Sequence, residues 1–231
     1  TEDGILVFNS VKEALSQFPE VNTALIVVPP QFVLAAATES IEANIPLIDI
    51  LTEKVPVAAV AKMIAAAKAK GVTLVGPSSV GIISPGRAKI GSIGSSELVH
   101  TIFTSGSIGV ISKSGGMTAE ISRILSEANL GQSTVVGIGG DLLIGADFLD
   151  IARLFEKDED TKAIAIFGEV GGTYEEQLAE AMEAGTITKP VVALIAGQFS
   201  ENLPRFSLQI LAPPTISQTL PPYRMLGANL K

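Results

Sequence analysis

The sequence predicts an α/β protein with two domains, each built on a doubly wound parallel sheet. Short β-rich runs alternate with longer segments rich in Ala, Glu and Lys, which is the order typical of βαβ units. The composition is 47% hydrophobic but only 5% aromatic, which suits buried parallel strands covered by Ala-rich helices. A length of 231 residues suits one large domain or two small ones.

The first predicted domain covers residues 1–97. Its β-rich runs predict strands over residues 5–8, 24–28, 47–51 and 72–75. The segments between them predict helices over residues 11–17, 31–44 and 57–70. The chain opens on TEDGILVFNSVKEAL, which looks like a later strand, because such a unit usually starts with a strand and a Gly-rich phosphate loop. We therefore expect the N-terminal strand and loop, about 60 residues, to be missing.

The second predicted domain covers residues 104–199. Its strands are predicted over residues 109–111, 134–138, 163–167 and 191–195. Its helices are predicted over residues 117–127, 146–155 and 174–184. The Gly-, Ser- and Thr-rich residues 91–107 form the predicted junction. Residues 200–231 have no clear period and contain Pro204, Pro213, Pro214, Pro221 and Pro222, so they are predicted to be an extended linker.

Charge and cysteine content exclude several classes of function. The net charge is −8 with no basic run, so the sequence lacks the electrostatic footprint of a protein that binds nucleic acid or an anionic membrane. Cysteine is absent, which excludes disulfides, zinc ribbons and a thiol nucleophile. No apolar stretch reaches the roughly 18 residues that span a bilayer. We expect a soluble cytoplasmic protein without a nucleic-acid or membrane partner.

The predicted strands of the second domain end in small, Gly-bearing loops. These are SKSGG (112–116), GIGGD (137–141), GEVGG (168–172) and AGQF (196–199). Ligands of open α/β sheets bind at the carboxyl ends of the strands. One such loop alone could be a tight turn, but four on one edge indicate a crevice where backbone approaches a ligand closely.

The loop SKSGG is predicted to open a helix. Ser114 is a suitable N-cap, and Gly115 and Gly116 leave their N–H groups open. A helix N-terminus carries about half a positive charge, which favours a phosphate or a carboxylate. The alternative is a plain helix cap without a ligand.

Two glutamates lie where predicted strands end. Glu169, between glycines, could orient a histidine or accept a proton; alternatively it is a solvated turn residue. Glu53, in LTEKVP, raises the same question, or it complements the dipole of the next helix. His100 is the single histidine and lies in the junction, so we expect a surface residue. The sequence does not assemble a Ser-His-Asp set or a metal cluster.

The sequence contains VGPSSVGIISPGRAKIG, SKSGGM, GIGGD and GEVGG in this order. Together they resemble the α-subunit half of the succinyl-CoA synthetase superfamily, over residues 4–206. Within it, Ser-Gly-Gly-Met resembles the branch of ATP-citrate lyase and citryl-CoA synthetase, since succinyl-CoA synthetases usually have Ser-Gly-Thr-Leu. The tail APPTISQTLPPYRMLG resembles the linker that enters the citrate-synthase-like domain of that branch.

The resemblance implies a Rossmann-like CoA-binding domain followed by a flavodoxin-like ligase domain. It implies ATP-dependent formation of citryl-CoA through a phosphohistidine and citryl phosphate, followed in a full-length lyase by cleavage to acetyl-CoA and oxaloacetate. One alternative is a succinyl-CoA synthetase α subunit or another acyl-CoA synthetase that forms a nucleoside diphosphate. An alternative of another class is a non-catalytic module that binds CoA or an anion.

The resemblance also assigns residues and partners. It places Leu51, Thr52 and Glu53 at a CoA-contacting strand end, with Glu53 also in catalysis, and it adds Pro30 and Ser79 to the CoA site. It gives Ser114, Gly115 and Gly116 the phosphohistidine or substrate, and Glu169 the role of partner to the phosphohistidine. ATP and Mg would be bound mainly by an ATP-grasp subunit or domain. A citrate-synthase-like domain and a hetero- or homo-oligomer complete the expectation, and a metal site within the chain is not expected.

One part of the family pattern is absent. The catalytic histidine of the family lies in Gly-His-Ala-Gly-Ala soon after the last strand, yet no histidine follows Phe206 and the Pro-rich linker arrives early. Either segments are omitted from this sequence, which we favour because it would also explain the missing start, or the phosphoryl acceptor is lost. Smaller departures are Lys113, where the family generally has Arg, and Leu142–Ile144 after GGD.

Overall fold

The computed structural model describes residues 5–94, 99–169 and 171–197. Its first sheet has three parallel strands in the order β1 (Thr23–Ile26), β2 (Leu47–Ile50) and β3 (Thr73–Val75). The second sheet has six strands: β4 (Gly81–Ser84), β5 (Ala88–Ile90), β6 (Ser105–Ser112), β7 (Gln132–Gly137), β8 (Ala163–Glu169) and β9 (Val191–Ala196). Their spatial order is β5-β4-β7-β6-β8-β9, and β6 to β9 are parallel. The predicted α/β class with parallel sheets is confirmed.

Seven helices are seen in the described residues: α1 (Val11–Gln17), α2 (Pro30–Glu42), α3 (Val57–Lys70), α4 (Val99–Ile102), α5 (Gly115–Glu127), α6 (Phe148–Lys157) and α7 (Tyr174–Glu183). Local chemistry fixes their ends: Gly71 closes α3 in the left-handed conformation, and Asp147 forms a capping box with Asp150 at the start of α6. None of these helices is long and apolar enough to cross a membrane.

The two sheets bury different faces. In the first sheet, Ile48 and Ile50 pack with α2 and α3 in one apolar cluster. Val75, on the sheet's other face, joins a cluster of the second sheet that contains Phe148 of α6. Conversely, Leu143 from the loop after β7 packs against the first cluster. The two sheets therefore share apolar surface, and this fixes the edges that carry the candidate site.

The predicted strand over residues 5–8 is wrong. Only an isolated β-bridge forms, at Ile5, and Ile5, Leu6 and Val7 are exposed. An apolar run forms a strand only where a neighbouring strand pairs with it and one face is buried. Beyond the bridge at Ile5, the described residues supply no paired strand along this run, and Ile5 to Val7 bury no face.

A hairpin that the sequence analysis missed changes the division between the sheets. Strands β4 and β5 pair antiparallel around Pro85 and Gly86, and β4 also pairs with β7. Residues 81–90 thus belong to the second sheet, although the predicted first domain extends to residue 97. The predicted junction, 91–107, includes α4 and the start of β6. The predicted linker, 200–231, lies outside the described residues.

Candidate functional site

The carboxyl edges of the two sheets meet at the loop that joins β3 to β4. Gly81, at the start of β4, pairs with Gly137 at the end of β7. A Cβ on Gly139 would lie 2.2 Å from the carbonyl oxygen of Pro77, and one on Gly76 would lie 2.3 Å from that of Ile50. Glycine is needed at both positions because backbone approaches backbone there. The strand-end loops of the two sheets therefore lie side by side.

A chain of hydrogen bonds crosses this meeting point. The hydroxyl of Thr52 donates to the carbonyl of Val28 at 2.7 Å, and the N–H of Ser78 donates to the carbonyl of Thr52 at 3.2 Å. The Ser78 hydroxyl then donates to Oδ1 of Asp141 at 2.8 Å. The loop predicted to bind CoA is thus tied to the GGD loop that follows β7 in the second sheet. Ser78 and Asp141 were not among the predicted site residues.

Four non-glycine residues have positive φ in the described part of the chain: Asn44, Lys54, Ser78 and Asn129. The two asparagines follow the C-termini of α2 and α5, where Asn commonly takes this conformation. Lys54 and Ser78 instead follow β2 and β3, with φ of 58° and 61°. Such backbone costs of order 1 to 3 kcal/mol and is found preferentially at functional sites.

The N-terminus of α5 has the predicted cap. Ser114 accepts the N–H of Met117 at 3.5 Å, while the N–H groups of Gly115 and Gly116 have no partner among the described residues. A Cβ on Gly115 would lie 2.5 Å from Cγ1 of Val80, so Gly115 is needed for packing. A Cβ on Gly116 would meet nothing within 4 Å. Two N–H donors without a described partner therefore lie at this helix end, and the side-chain position of Gly116 is open.

Glu169 lies at the same edge. It ends β8 and is half-buried. The position of a Cβ on Gly140 is 3.8 Å from Oε2 of Glu169 and 3.5 Å from the carbonyl oxygen of Lys113, the residue before Ser114. The structure thus brings the predicted carboxylate to the edge that carries the N-terminus of α5.

The residues assigned to CoA lie around the ends of β1 and β2. Pro30 opens α2 and, like Leu51 and Thr52, is half-buried. Glu53 is exposed and makes no hydrogen bond or ion pair with any described residue. Ser79 is buried, and its hydroxyl donates to the carbonyl of Gly137 at 2.7 Å and accepts the N–H of Gly81. Ser79 therefore fastens the first sheet to the second, and contact with CoA stays a prediction for all five.

Sequence reasoning missed a buried ion pair beneath this edge. Nζ of Lys113 lies 2.7 Å from Oε1 of Glu175, and the two side chains are only 5% and 10% exposed. Lys113 was noted only as a departure from Arg. Glu175 gave no signal, because an acidic residue in the first turn of a helix is ordinarily a solvated partner of the helix dipole.

Sequence reasoning also missed Asp49, on β2. It is fully buried and neither carboxylate oxygen has a hydrogen-bond partner among the described residues. Burial raises the pKa of Asp49 to about 6. Ser79 gives its one proton to Gly137, so it does not donate to the carboxylate. An aspartate in a run of Leu and Ile was the available signal.

His100 lies away from the site. It is exposed on α4, and the carbonyl of Ile102 in that helix accepts the hydroxyl of Ser126 near the C-terminus of α5. Ser114 is at the other end of α5, about 18 Å away by helical rise. The expectation of a surface residue agrees with this exposure.

Two family models match the chain. A model described as a succinyl-CoA ligase like flavodoxin domain matches residues 105–207, and a CoA binding domain model matches residues 1–54. The chain therefore combines a Rossmann-like CoA-binding domain with a flavodoxin-like ligase domain. Over these segments it is similar to the succinyl-CoA ligase α-like family.

Curated relatives are similar over most of the chain. The α subunit 2 of an ADP-forming succinate–CoA ligase from Archaeoglobus fulgidus is 43% identical over 194 residues, which are 84% of this chain and 65% of that protein. A subunit of an ADP-forming sulfoacetate–CoA ligase from Bilophila wadsworthia is 37% identical over 196 residues, 85% of this chain and 66% of that protein. The chain thus spans slightly less than two thirds of the length of these relatives.

A solved structure has the same fold. ATP citrate lyase from Methanothrix soehngenii, determined in complex with citrate and coenzyme A, superposes with a TM-score of 0.81 at 30% identity. The match covers 85% of this chain and 33% of that one. The fold likeness therefore extends to the citrate branch, while the curated sequence relatives at 43% identity are succinate–CoA ligase subunits.

Proposed function

We propose that this chain is the CoA-binding and ligase part of an acyl-CoA synthetase that forms a nucleoside diphosphate. The observation that carries the proposal is one shared edge: Glu169 and the open N–H groups of Gly115 and Gly116 at the N-terminus of α5 lie beside the loops that end β2 and β3. The chain of hydrogen bonds through Ser78 joins these loops to the GGD loop. A carboxyl group activated at α5 and a thiol held by the first domain would then meet at one place.

The residues divide the work as follows. The N–H groups of Gly115 and Gly116 hold the phosphoryl or acyl phosphate group, because a helix N-terminus stabilises an anion. Glu169 orients the histidine that carries the phosphoryl group, because its carboxylate accepts a hydrogen bond from an N–H of that histidine. His100 is the single histidine of the sequence and lies far away, so the carrier must come from outside residues 1–231. An ATP-grasp partner, with ATP and Mg, would phosphorylate it.

The strand ends of the first sheet offer apolar side chains to CoA. Val27 and Phe32 are apolar and exposed. Half-buried Leu51 follows β2 and donates its N–H to the carbonyl of Ile26, the residue before Val27. These side chains would cover the apolar arm of CoA. Thr52 fixes the loop, since its hydroxyl is held by the carbonyl of Val28. CoA supplies the thiol that takes the acyl group from the acyl phosphate, splitting one difficult acylation into steps.

For the acid we propose succinate first, supported by the 43% identity to succinate–CoA ligase subunits. A relative that is 37% identical belongs to a sulfoacetate–CoA ligase, so overall sequence identity does not determine which acid is the substrate. Citrate, which the motif Ser-Gly-Gly-Met favours, is the second candidate. The open space at Gly116 supports it, because the absence of a side chain leaves room for a larger acid.

The test uses the natural polypeptide that contains these residues, together with its nucleotide-binding partner. We expect succinyl-CoA and a nucleoside diphosphate to form with succinate, Mg and a nucleoside triphosphate, measured by mass spectrometry of the acyl-CoA. Activity with citrate alone would select the second candidate. CoA binding without acyl-CoA formation from any of succinate, citrate and sulfoacetate would support the non-catalytic module instead.

Glu169→Gln tests the role of the carboxylate. We expect phosphoenzyme formation to fall by about 100-fold, since a positioned acid or base contributes roughly 10²- to 10⁴-fold. Glu180→Gln, at an exposed position on α7, is the matched control and should phosphorylate normally. Unchanged phosphorylation of Glu169→Gln would remove the proposed role.

A further inference from the structure

One carboxylate oxygen ties two strand ends together. Oε1 of Glu175 accepts a hydrogen bond from Nζ of Lys113 at 2.7 Å and another from the N–H of Glu169 at 3.3 Å. Lys113 follows β6 and precedes the N-cap of α5, while Glu169 ends β8. Besides the backbone pairing of β6 with β8, a side chain of α7 thus links Glu169 to the residue that precedes the N-cap of α5.

The ammonium group of Lys113 is itself fixed on several sides. Besides Glu175, it donates to the carbonyl of Gly171 at 3.3 Å. It also lies 5.5 Å from the ring centre of Phe148 and 5.4 Å from that of Tyr174, at distances where an aromatic face attracts a cation. The loop after β8 is thus held at two points, the N–H of Glu169 and the carbonyl of Gly171.

The absence of a side chain at Gly168 leaves room for the side chain of Glu175. A Cβ there would lie 2.6 Å from Oε1 and 3.0 Å from Cγ of Glu175. No larger residue fits without displacing the Glu175 side chain, which folds back across the end of β8. A glycine before the catalytic carboxylate is therefore a packing requirement of Glu175.

These contacts change what Lys113 does. A lysine beside the N-terminus of α5 is a natural ligand for an anion. Here its side chain is 5% exposed and paired with Glu175, so its charge is already compensated. The lysine acts on the bound anion only through the backbone that it holds.

We propose that Glu175 and Lys113 are positioning residues that hold Glu169 against the anion-binding end of α5; this rests on the proposed function of Glu169. Loss of the pair frees the loop after β8 and misplaces the carboxylate. A misplacement of about 1 Å costs on the order of 100-fold in rate. The CoA-binding loops belong to the other sheet and keep their hydrogen bonds.

The experiment compares Glu175→Gln, Lys113→Arg and the control Glu120→Gln in the natural polypeptide with its nucleotide-binding partner. Glu120 forms an exposed ion pair with Arg123 on α5, so it matches the charge change away from the site. We expect Glu175→Gln to speed hydrogen–deuterium exchange in residues 168–173 at least 10-fold. The same variant should lower kcat about 10- to 100-fold while the Kd for CoA stays within about 2-fold. Lys113→Arg should retain slow exchange and most of kcat.

Unchanged exchange and kcat in a folded Glu175→Gln protein would overturn the proposal. So would a general loss, in which exchange rises throughout the chain and CoA affinity falls together with kcat, because the pair would then be only structural. If the wild-type protein makes no acyl-CoA at all, the proposed function fails. The exchange measurement still decides whether Glu175 holds the loop, so the two failures are distinguishable.

Discussion

Lys113 in the second domain and Asp49 in the first are both buried charged residues, but their surroundings differ. Lys113 has a carboxylate at 2.7 Å, a carbonyl oxygen and two aromatic faces. Asp49 is fully buried and has no hydrogen-bond partner for either oxygen among the described residues. The contacts hold the Lys113 side chain in a defined position, whereas burial raises the pKa of Asp49 and so favours its neutral form.

The two sheets hold the loops at their strand ends in different ways. At the ligase edge, a buried pair fixes the loops that carry Glu169 and Ser114. At the edge of the first sheet, backbone bonds such as the N–H of Ser79 to the carbonyl of Ile50, at 3.1 Å, hold the loops. There the buried carboxylate contributes a pH-dependent free energy. The role proposed for Glu169 calls for the first arrangement, because proton transfer depends on the position of the carboxylate.

The largest effect is expected when the paired cation is removed. Lys113→Met leaves Glu175 buried and unpaired, so the free energy of unfolding should fall by about 3 to 5 kcal/mol. Lys113→Met combined with Glu175→Gln should recover a large part of this loss. Urea denaturation measures both, and Lys62→Met on the exposed side of α3 is the control. A single variant as stable as the control would show that burial of this pair has no energetic consequence.

For the unpaired carboxylate of Asp49 we expect the opposite change, because removing its charge should raise the free energy of unfolding. The pKa of Asp49 rises from its ordinary 3.8 to about 6 because of burial. The folded protein therefore binds the proton more tightly, so unfolding is favoured as the pH rises from about 4 to about 6, and the cost is fully present above 6. Asp49→Asn should raise the free energy of unfolding by up to ~3 kcal/mol at pH 7.5 and by little at pH 4.

Urea denaturation of wild type and Asp49→Asn at both pH values checks this, since other titrating groups cancel in the difference. An equal effect of the substitution at pH 4 and pH 7.5 would contradict the prediction. Asp49→Leu would not serve as well, because its larger, branched side chain changes the packing between the sheets.

Much of the fold followed from sequence pattern. The predicted bounds of α1 and α3 agree with the structure at both ends, because the cap Ser10, the Pro56 before α3 and the Gly71 after it are local signals. The hairpin of β4 and β5 was missed although Pro85-Gly86 between two apolar runs is a turn signal. Residues 5–8 were assigned from apolar content alone, which does not report whether a pairing strand is present.

Only the parts of the candidate site that depend on neighbouring residues in the sequence were predictable. The cap Ser114 and the glycines after it were visible because they adjoin the start of a helix. The pair of Lys113 and Glu175 was not, since 62 residues separate its members and no periodicity links them. Ser78 and Asp141 are also joined only by the meeting of two sheets. Long-range pairing of polar side chains depends on tertiary structure, which single-sequence patterns do not contain.

A smaller effect is expected at the bond that joins the two edges. Ser78→Ala removes the hydrogen bond to Asp141 and keeps a Cβ at positive φ, so the free energy of unfolding should fall by about 1 to 2 kcal/mol. Ser78→Gly should cost less, because glycine adopts this backbone readily. Equal losses in the two variants, measured by urea denaturation, would assign the effect to the hydrogen bond and none to the backbone.

The smallest effect is expected at an exposed pair. Arg123 binds Glu120 and Glu127 on the surface of α5, and the side chain of Arg123 is 42% exposed. Water already solvates these groups, so Glu120→Gln should leave Tm unchanged within measurement error, as for many surface ion pairs. Added salt should not change the result for Glu120→Gln. It should also leave the effect of Lys113→Met intact, because buried pairs are screened little. A loss at Glu120 comparable to that at Lys113 would mean that burial is not what distinguishes the two pairs.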